Sequence, residues 1–290
     1  MILYIFYKIG VFLVSVLPLQ ASYKIAAMLG DLKYMLSPRD RRYVHKNLMV
    51  ALKNKDKKQI RFLSRSVFIN FAKYLVDFFG FSKINLDFIK KNVTLDGIQY
   101  VDEALALKKG VILVSAHIGN WEMGGALLGM LGYKPHVVAL NHTYKKTNDF
   151  FVAQRASKGV DVIPVGIGIR RCFDLLKDNM IIAIVGDKDF TNKGMAIKFF
   201  DKVALMPKGP ATFSLKTGSP LVPCACIRNN DDTFTFYFDK PIYPNKTEGI
   251  AKNLESLTRE YLSVLEKYIR TYPGQWHMFR YIWAQKPVGQ

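Results

Sequence analysis

The sequence predicts an α/β fold, with a mostly parallel central sheet flanked by helices and an N-terminal helical region that associates with a membrane. From Val93 onward, short apolar runs of strand length alternate with amphipathic segments of helix length, which is the pattern of parallel strands joined by helices. The run Val111 to Val114 contains no polar residue, as in a strand buried on both faces. The 290 residues are half hydrophobic, which suits one large core rather than two independent domains.

Residues 1–23 predict a membrane anchor helix. They are apolar apart from Lys8, and only fifteen uncharged residues lie between Lys8 and Lys24, whereas a spanning helix needs about 20. A secretory signal is disfavoured, because no basic start precedes the apolar run and no small-residue cleavage site follows it. We therefore expect an uncleaved helix that dips into or crosses the inner leaflet. A buried core helix is the alternative.

Residues 24–91 predict a basic helical region that forms one structural domain with the α/β core of residues 92–290. Ser37-Pro-Arg-Asp40 is a favourable helix start, with serine at the cap and proline at the first helical position. The basic residues that follow are expected to lie against anionic headgroups. Ile60 to Phe81 predicts a long amphipathic helix, whose phenylalanines either join the core or lie at the bilayer interface.

The predicted elements of the core alternate along the chain. Strands are predicted over Val93 to Leu95, Val111 to Ser115, Pro135 to Leu140, Asp161 to Pro164, Met180 to Val185, Cys224 to Arg228 and Thr233 to Phe238. Helices are predicted over Ile98 to Leu107, Thr147 to Lys158 and Lys252 to Thr271. In such sheets the ligand crevice lies at the carboxyl ends of the strands, so polar residues that follow a strand are candidates for the site.

The stretch from Val111 to Gly125 contains the candidate catalytic group. Its apolar strand ends at small residues, which place His117 on the turn before a helix. Glu122 follows five residues later, a rotation of roughly 140° on a regular helix, so His117 must precede the helix for its ring to fold back toward Glu122. A histidine base, a carboxylate that orients it and free helix N-terminal amides at 118–120 are the groups that acyl transfer requires.

Other interpretations of this stretch are disfavoured. An isolated HxxxxE pattern would favour a strand-end histidine with a backbone partner, but the strand, turn and glycine-flanked helix favour catalysis. Zinc binding would require histidines at i and i+4, and His136 and His142 lack metal-type spacing. The chain contains no GxSxG sequence of a serine hydrolase. We therefore expect no metal and no other cofactor.

The segment Ser115-Ala-His-Ile-Gly-Asn-Trp-Glu122 resembles the HxxxxE signature of the bacterial lipid A biosynthesis acyltransferases, the late lauroyl and myristoyl transferases. Relatives of that family include the phosphatidylinositol mannoside acyltransferases and, more distantly, the HxxxxD glycerolipid acyltransferases. The resemblance covers most of the chain. It implies the transfer of a fatty acyl chain from a thioester to a lipid hydroxyl.

The resemblance also implies a set of site residues. His117 is the expected base and Glu122 the group that orients it, and the backbone amides of Ile118 and Gly119 are expected to hold the oxyanion. An arginine after the second strand is thought to hold a phosphate or the acyl donor, and an aspartate follows a later strand. The expected substrate-binding residues are Asn120, Arg155, Asp187 and Gly209.

Two later segments extend the resemblance. Gly194 and Phe199-Phe200-Asp201 match a glycine and a Phe-Phe-Gly segment of the family, except that Asp201 replaces glycine, which puts the local backbone geometry in doubt. The tail Pro273-Gly-Gln-Trp276 is similar to the family's Pro-x-Gln-Trp ending. His277 follows it without a local carboxylate, so we expect it to pack or to form a hydrogen bond.

The charge of the chain predicts acidic partners. Forty-two Lys and Arg residues against twenty-three Asp and Glu give a formal net charge of +19. Nothing resembles a nucleic-acid module, and the basic residues are spread among abundant Phe and Tyr, which favours an anionic membrane over nucleic acid. We expect an enzyme on the cytoplasmic face of the bacterial inner membrane. The expected acyl donor is acyl carrier protein, with acyl-CoA as the alternative, and the expected acceptor is a lipid A precursor or a related glycolipid.

Two alternatives remain open at this level. The chain can be a phosphatidylinositol mannoside or glycerolipid acyltransferase, or a catalytically silent membrane-surface binding protein of the same fold.

The three cysteines, Cys172, Cys224 and Cys226, lack CxxC spacing and are expected to be reduced core residues.

Overall fold

A computed structural model describes residues 2–53, 55–166, 168–191, 193–245, 247 and 249–284. The helices are α1 (Ile2–Val16), α2 (Leu19–Leu36), α3 (Pro38–Ala51), α4 (Lys57–Phe79), α5 (Leu86–Asn92), α6 (Gln99–Ala106), α7 (Trp121–Met130), α8 (Lys145–Ala156), α9 (Ile169–Lys177), α10 (Gly209–Thr217) and α11 (Ile250–Thr271). The strands are β1 (Val93–Asp96), β2 (Val111–Ser115), β3 (His136–Ala139), β4 (Asp161–Pro164), β5 (Ile181–Val185), β6 (Met195–Phe199), β7 (Lys202–Met206), β8 (Leu221–Arg228) and β9 (Phe234–Phe238).

Seven strands form one sheet in the order β1-β9-β8-β2-β5-β3-β4. Every pairing in it is parallel except the β8–β9 hairpin. The unbroken apolar strand β2 lies in the middle between β8 and β5, with its first four residues buried. Helices cover both faces through two clusters of buried apolar side chains. The predicted fold, a mostly parallel sheet flanked by helices, is confirmed.

The predicted strands all form, but some elements were not predicted. The β6–β7 hairpin forms a separate two-stranded sheet, and helices α5 and α9 fill connections that the sequence left unassigned. At the hairpin turn Phe200 and Asp201 have φ of 50° and 61°. Asp201 therefore adopts a left-handed conformation that favours glycine and that aspartate tolerates better than most residues.

The N-terminal region consists of two helices that pack on the core. The chain turns at Pro18, between these two helices. Because α2 continues through residue 23, no helix ends at the predicted boundary between the anchor and the basic region, and that boundary stays a prediction. Gly30 of α2 lies against the α4 backbone, where a Cβ would come within 2.8 Å of the Ile69 Cα. Tyr7 of α1 packs against Phe79, with ring centroids 5.6 Å apart. Of the helices in the described ranges, none combines the length and the apolar character needed to span a bilayer.

A buried charged network joins this helical region to the sheet. Asp77 of α4 accepts hydrogen bonds from the Tyr23 hydroxyl (2.6 Å), from the Asn120 amide (2.6 Å) and from the guanidinium of Arg228 on β8. The Arg228 guanidinium also stacks over the Tyr23 ring, 4.6 Å from its centroid. Since removing one partner of a buried ion pair leaves an uncompensated charge, this network fixes where α2 and α4 lie relative to the sheet.

Candidate active site

His117 and Asp187 lie at the carboxyl ends of two neighbouring strands. β2 and β5 pair in parallel with Ser115 opposite Val185, so the residues that follow each strand leave the sheet at the same edge. The Gly186 amide donates to the Ser115 carbonyl at 2.7 Å and extends the pairing by one step. The predicted position of His117, on the turn between β2 and α7, is confirmed.

The ring of His117 is held by Asp187. Its Nδ1 lies 2.7 Å from the Asp187 Oδ1, and the His117 backbone amide donates to Oδ2 at 3.1 Å. Asp187 is fully buried, whereas the side chain of His117 keeps 21% of its surface exposed. Burial alone would raise the pKa of Asp187, but the charge and hydrogen bonds of His117 and the hydrogen bond from Trp276 hold it below its ordinary value. An ionised aspartate on Nδ1 leaves Nε2 as the nitrogen that can take a proton from a substrate.

The C-terminal tail completes this arrangement. The indole nitrogen of Trp276 donates to Asp187 Oδ2 at 2.9 Å, and the His277 amide donates to the His117 carbonyl at 2.7 Å. His277 is buried, and its Nε2 donates to the Gly119 carbonyl at 3.1 Å. Burial, together with the nearby charges of His117 and Arg228, lowers the pKa of His277 to about 3. It therefore stays neutral, and the expectation that it packs and hydrogen-bonds is confirmed.

The turn after His117 needs a glycine and has no free amides at Gly119 or Asn120. Gly119 has φ of 60°, and a Cβ there would lie 2.0 Å from the Cys226 carbonyl oxygen. Its amide donates to the Gln275 carbonyl at 2.9 Å, and the Asn120 amide donates to the Cys226 carbonyl at 2.7 Å. The prediction that Gly119 holds the oxyanion is therefore wrong. The same assignment for Ile118 stays a prediction.

Asn120 and Asp187, which were predicted to bind the substrate, are buried and do not line the cavity. The Asn120 Oδ1 caps α7 by accepting from the Met123 amide at 2.9 Å, and its Nδ2 donates to Asp77. Asp187 uses both oxygens on His117 and Trp276. Both side chains are buried in the frame of the site, so their assignment to substrate binding is wrong. Asp187 instead has the role that was predicted for Glu122, because it is the carboxylate that holds the His117 ring.

Glu122 pairs with Arg155 rather than with His117. The Arg155 Nε and Nη2 donate to the two Glu122 oxygens at 2.9 and 2.6 Å, a bidentate pair whose side chains are both largely buried. The prediction that Glu122 orients the histidine ring is therefore wrong. The reason is geometric, since Glu122 lies in the first turn of α7 and its carboxylate reaches α8. The phosphate-binding role of Arg155 stays a prediction.

A cavity of about 560 Å3 opens beside His117. It runs between the sheet and helices α7 and α8, and its walls are mainly apolar; they include Leu113, Leu128, Val137, Phe151, Val160 and Phe236. Gly124 and Gly125 lie along α7 on the same wall, where the absence of side chains leaves room. Such a volume lies within the usual range of ligand pockets. It fits an apolar chain whose head reaches His117.

The remaining predicted residues divide between this cavity and the core. Gly209, at the start of α10, lines the cavity, and its substrate-binding role stays a prediction. The three cysteines are free and buried, and burial raises the pKa of the Cys224 thiol to about 12. Across the described part of the chain, no three His, Cys, Asp or Glu side chains converge in a group that could hold a metal ion.

Three residues have roles at the site that the sequence did not predict. The position of Asp187 directly after a predicted strand indicated that it lies at the same edge of the sheet as His117. Trp276 stood in a segment matched by resemblance alone, and nothing local indicated that its indole reaches Asp187. Lys188 had no distinguishing signal in the sequence, yet it is buried and lines the cavity.

A mostly parallel α/β sheet, a histidine–aspartate pair at its carboxyl edge and an apolar cavity beside that pair are together suited to an enzyme that acts on an acyl chain. Residues 1–285 match the family described as bacterial lipid A biosynthesis acyltransferase, and the chain belongs to this family. It is similar to the phosphatidylinositol mannoside acyltransferase of Mycolicibacterium smegmatis, with 27% identity over 226 residues, which are 76% of this chain and 72% of that protein. The protein of the same name from Mycobacterium tuberculosis strain H37Rv is 25% identical over 220 residues, 74% of this chain and 68% of the relative. The sequence resemblance is thereby confirmed.

We predict that both members of the histidine–aspartate pair are required for turnover. His117→Ala removes the base, and Asp187→Asn keeps the shape but loses the charge that fixes the tautomer, so each should lower turnover by about 10²–10⁴-fold. Thiol release from palmitoyl-CoA measures this. His136→Gln is a matched control, because His136 also lies near an aspartate, 3.7 Å from Asp161, but outside the cavity. Undiminished turnover in folded His117→Ala would exclude this base.

We also predict that Glu122 and Arg155 act on stability as a pair. Glu122→Met leaves a buried guanidinium unpaired and should lower the free energy of unfolding by about 3–5 kcal/mol, and adding Arg155→Met should restore much of it. Denaturant unfolding of the single and double variants tests this. Glu255→Gln, which breaks the exposed Glu255–Arg259 pair, is the control and should change little. A stable Glu122→Met with a changed pH profile of turnover would instead show that Glu122 acts on His117.

Proposed function

We propose that this protein transfers a fatty acyl chain from a thioester to a hydroxyl of a membrane glycolipid, on the cytoplasmic face of the bacterial inner membrane. The observation that carries the proposal is the apolar cavity that ends at His117. In the proposed reaction the Nε2 of His117 takes the proton of the acceptor hydroxyl while its oxygen attacks the thioester carbonyl. Asp187 keeps the ring in the required tautomer and stabilises the imidazolium that forms.

The proposed acceptor follows from the relatives and the fold. The two similar proteins are named for a phosphatidylinositol mannoside, a glycolipid, and the family is named for lipid A, another glycolipid. We therefore propose a glycolipid hydroxyl as the acceptor, either of a lipid A precursor or of a phosphatidylinositol mannoside. The proposed donor is acyl carrier protein, an acidic partner for a chain of net charge +19, with acyl-CoA as the alternative.

The exposed face of the first two helices supports the proposed membrane association. On α1 the exposed apolar residues recur at helical spacing on one side: Ile5, Phe6, Ile9, Phe12, Leu13 and Val16. α2 continues the pattern with Ile25, Met28, Leu29, Leu32, Met35 and Leu36. We call these twelve residues the α1–α2 apolar face. Soluble surfaces rarely carry a contiguous patch of this kind, and an in-plane helix pair that buries it among acyl chains accounts for it.

We predict that polar substitutions on the α1–α2 apolar face release the protein from membranes. The triple variant Phe6→Ser, Phe12→Ser and Met28→Ser should weaken binding to anionic phospholipid vesicles by about 10³-fold or more, at about 1.5–3 kcal/mol for each side chain buried. Flotation assays measure this, and the remaining binding should be removed by high salt. Ile250→Ser, at a still more exposed apolar position on α11, is the control. Unchanged vesicle binding by the triple variant would contradict an in-plane anchor.

We predict that ionic strength separates the two donors. Acyl carrier protein approaches as a large acidic body, so its kcat/KM should fall steeply as salt screens the charges, whereas that of acyl-CoA should fall much less. Detergent-solubilised acceptor removes the electrostatics of the membrane itself. Phosphatidylinositol dimannoside and a lipid A precursor, assayed in parallel, separate the two proposed acceptors. Equal or better use of acyl-CoA at low salt would contradict acyl carrier protein as the donor.

A further inference from the structure

Lys188 is a buried cation beside the catalytic histidine. The residue is 6% exposed and lines the same cavity as His117. Its Nζ lies 4.9 Å from the centroid of the Phe190 ring, and the His117 ring meets the same phenylalanine edge-on at 5.7 Å between centroids. The ammonium and the imidazole therefore both contact one aromatic side chain that lines the cavity.

Among the described residues, the Nζ of Lys188 has no salt-bridge partner and donates no hydrogen bond. Two charged groups act on it, Arg280 from the C-terminal tail and Asp187 from its own segment. Burial first, and then the charge of Arg280, lower the pKa of Lys188 to about 8, against the opposing charge of Asp187. A buried cation without a neutralising partner is costly, and such groups are found where a reaction develops negative charge.

Apart from the Ile118 amide, the nearby amides and cations that could hold an oxyanion have partners or lie in solvent. The amides of Gly119 and Asn120 donate to backbone carbonyls, and the charge of Arg155 is neutralised by Glu122. Lys193 and Lys208 also line the cavity, but both are exposed, so water and salt weaken their fields. Lys188 is thus the cation with the least screening at this site.

We propose that Lys188 is a further catalytic residue, whose ammonium stabilises the oxyanion of the tetrahedral intermediate; this inference rests on the proposed function. His117 takes the proton of the attacking hydroxyl, the new carbon–oxygen bond forms, and the carbonyl electron pair moves to the oxygen beside Lys188. The pair then returns, the carbon–sulfur bond breaks, and the thiolate takes the proton from His117. Lys188 supplies charge and a hydrogen bond, and its own proton is not transferred.

The experiment uses the full chain in detergent, with palmitoyl-CoA as the donor and water as the acceptor, so that it does not depend on the identity of the glycolipid. Lys188→Met should lower kcat by about 10²–10³-fold with little change in KM, the size expected for one lost oxyanion donor. Lys188→Arg should retain much of the activity. Lys216→Met is the matched control, because Lys216 also lies over a phenylalanine ring, 5.6 Å from the Phe173 centroid, but does not line the cavity.

The pH profile separates an electrostatic role from a structural one. Wild-type kcat/KM should fall as the pH rises through about 8, since Lys188 of the free enzyme then loses its proton. In Lys188→Arg this fall should move to higher pH, because a guanidinium stays charged, and in Lys188→Met it should be absent. Circular dichroism shows whether each variant is folded, and a variant that unfolds is replaced by Lys188→Gln.

Three results would overturn the inference. A raised KM with unchanged kcat, seen with palmitoyl-CoA and not with phosphate-free palmitoyl-pantetheine, would show that Lys188 binds the donor phosphate. Wild-type kcat in folded Lys188→Met, while His117→Ala is inactive, would refute the role of Lys188 and leave the proposed function in place. A wild-type protein with no turnover on palmitoyl-CoA, palmitoyl-pantetheine or palmitoyl-acyl carrier protein, with water or with either glycolipid, would refute the proposed function and this inference with it.

Discussion

The carboxylate of Asp187 is the constraint on which the site depends. It leaves β5 at the same edge at which His117 leaves β2, and it accepts from the His117 ring, the His117 amide and the Trp276 indole. A fully buried carboxylate must satisfy its lone pairs inside the protein, so these three donors have little freedom to move. One group therefore holds together two central strands, the turn after β2 and the C-terminal tail. It also fixes which nitrogen of His117 faces the cavity.

The histidine and the glutamate of the HxxxxE motif have different surroundings. His117 faces the cavity, whereas Glu122 forms a buried bidentate pair with Arg155 that ties α7 to α8. The pair of Asp77 with Arg228 ties α4 to β8, and Asn120 links it to the start of α7. Buried ion pairs add little net stability over apolar packing, but each is costly to break, so they specify one arrangement of helices around the site. The motif thus encodes a reactive group and part of the frame that positions it.

The exposed apolar helices are continuous with the walls of the cavity. Tyr7 of α1 packs on Phe150 and Phe151 of α8, with ring centroids 6.0 and 5.6 Å apart, and Phe151 lines the cavity. α8 also carries Arg155, the partner of Glu122. Because these contacts are direct, a change in how α1 is seated would reach the catalytic helices through packed side chains. The N-terminal region is therefore part of the architecture of the site.

The sequence by itself determined the elements and the location of the chemistry. Apolar runs of strand length, their alternation with helices and the small residues after Val114 predicted the sheet and placed His117 at its carboxyl edge, because these signals lie within a few neighbouring residues. The tertiary structure alone decided the partners. Asp187 is 70 residues from His117, Arg155 is 33 from Glu122, and Asp77 is 151 from Arg228. Such pairs depend on strand order and helix packing, which no local pattern encodes. For the same reason the amides of Gly119 and Asn120 seemed free in sequence, whereas in the fold they donate to carbonyls of the C-terminal tail and of β8.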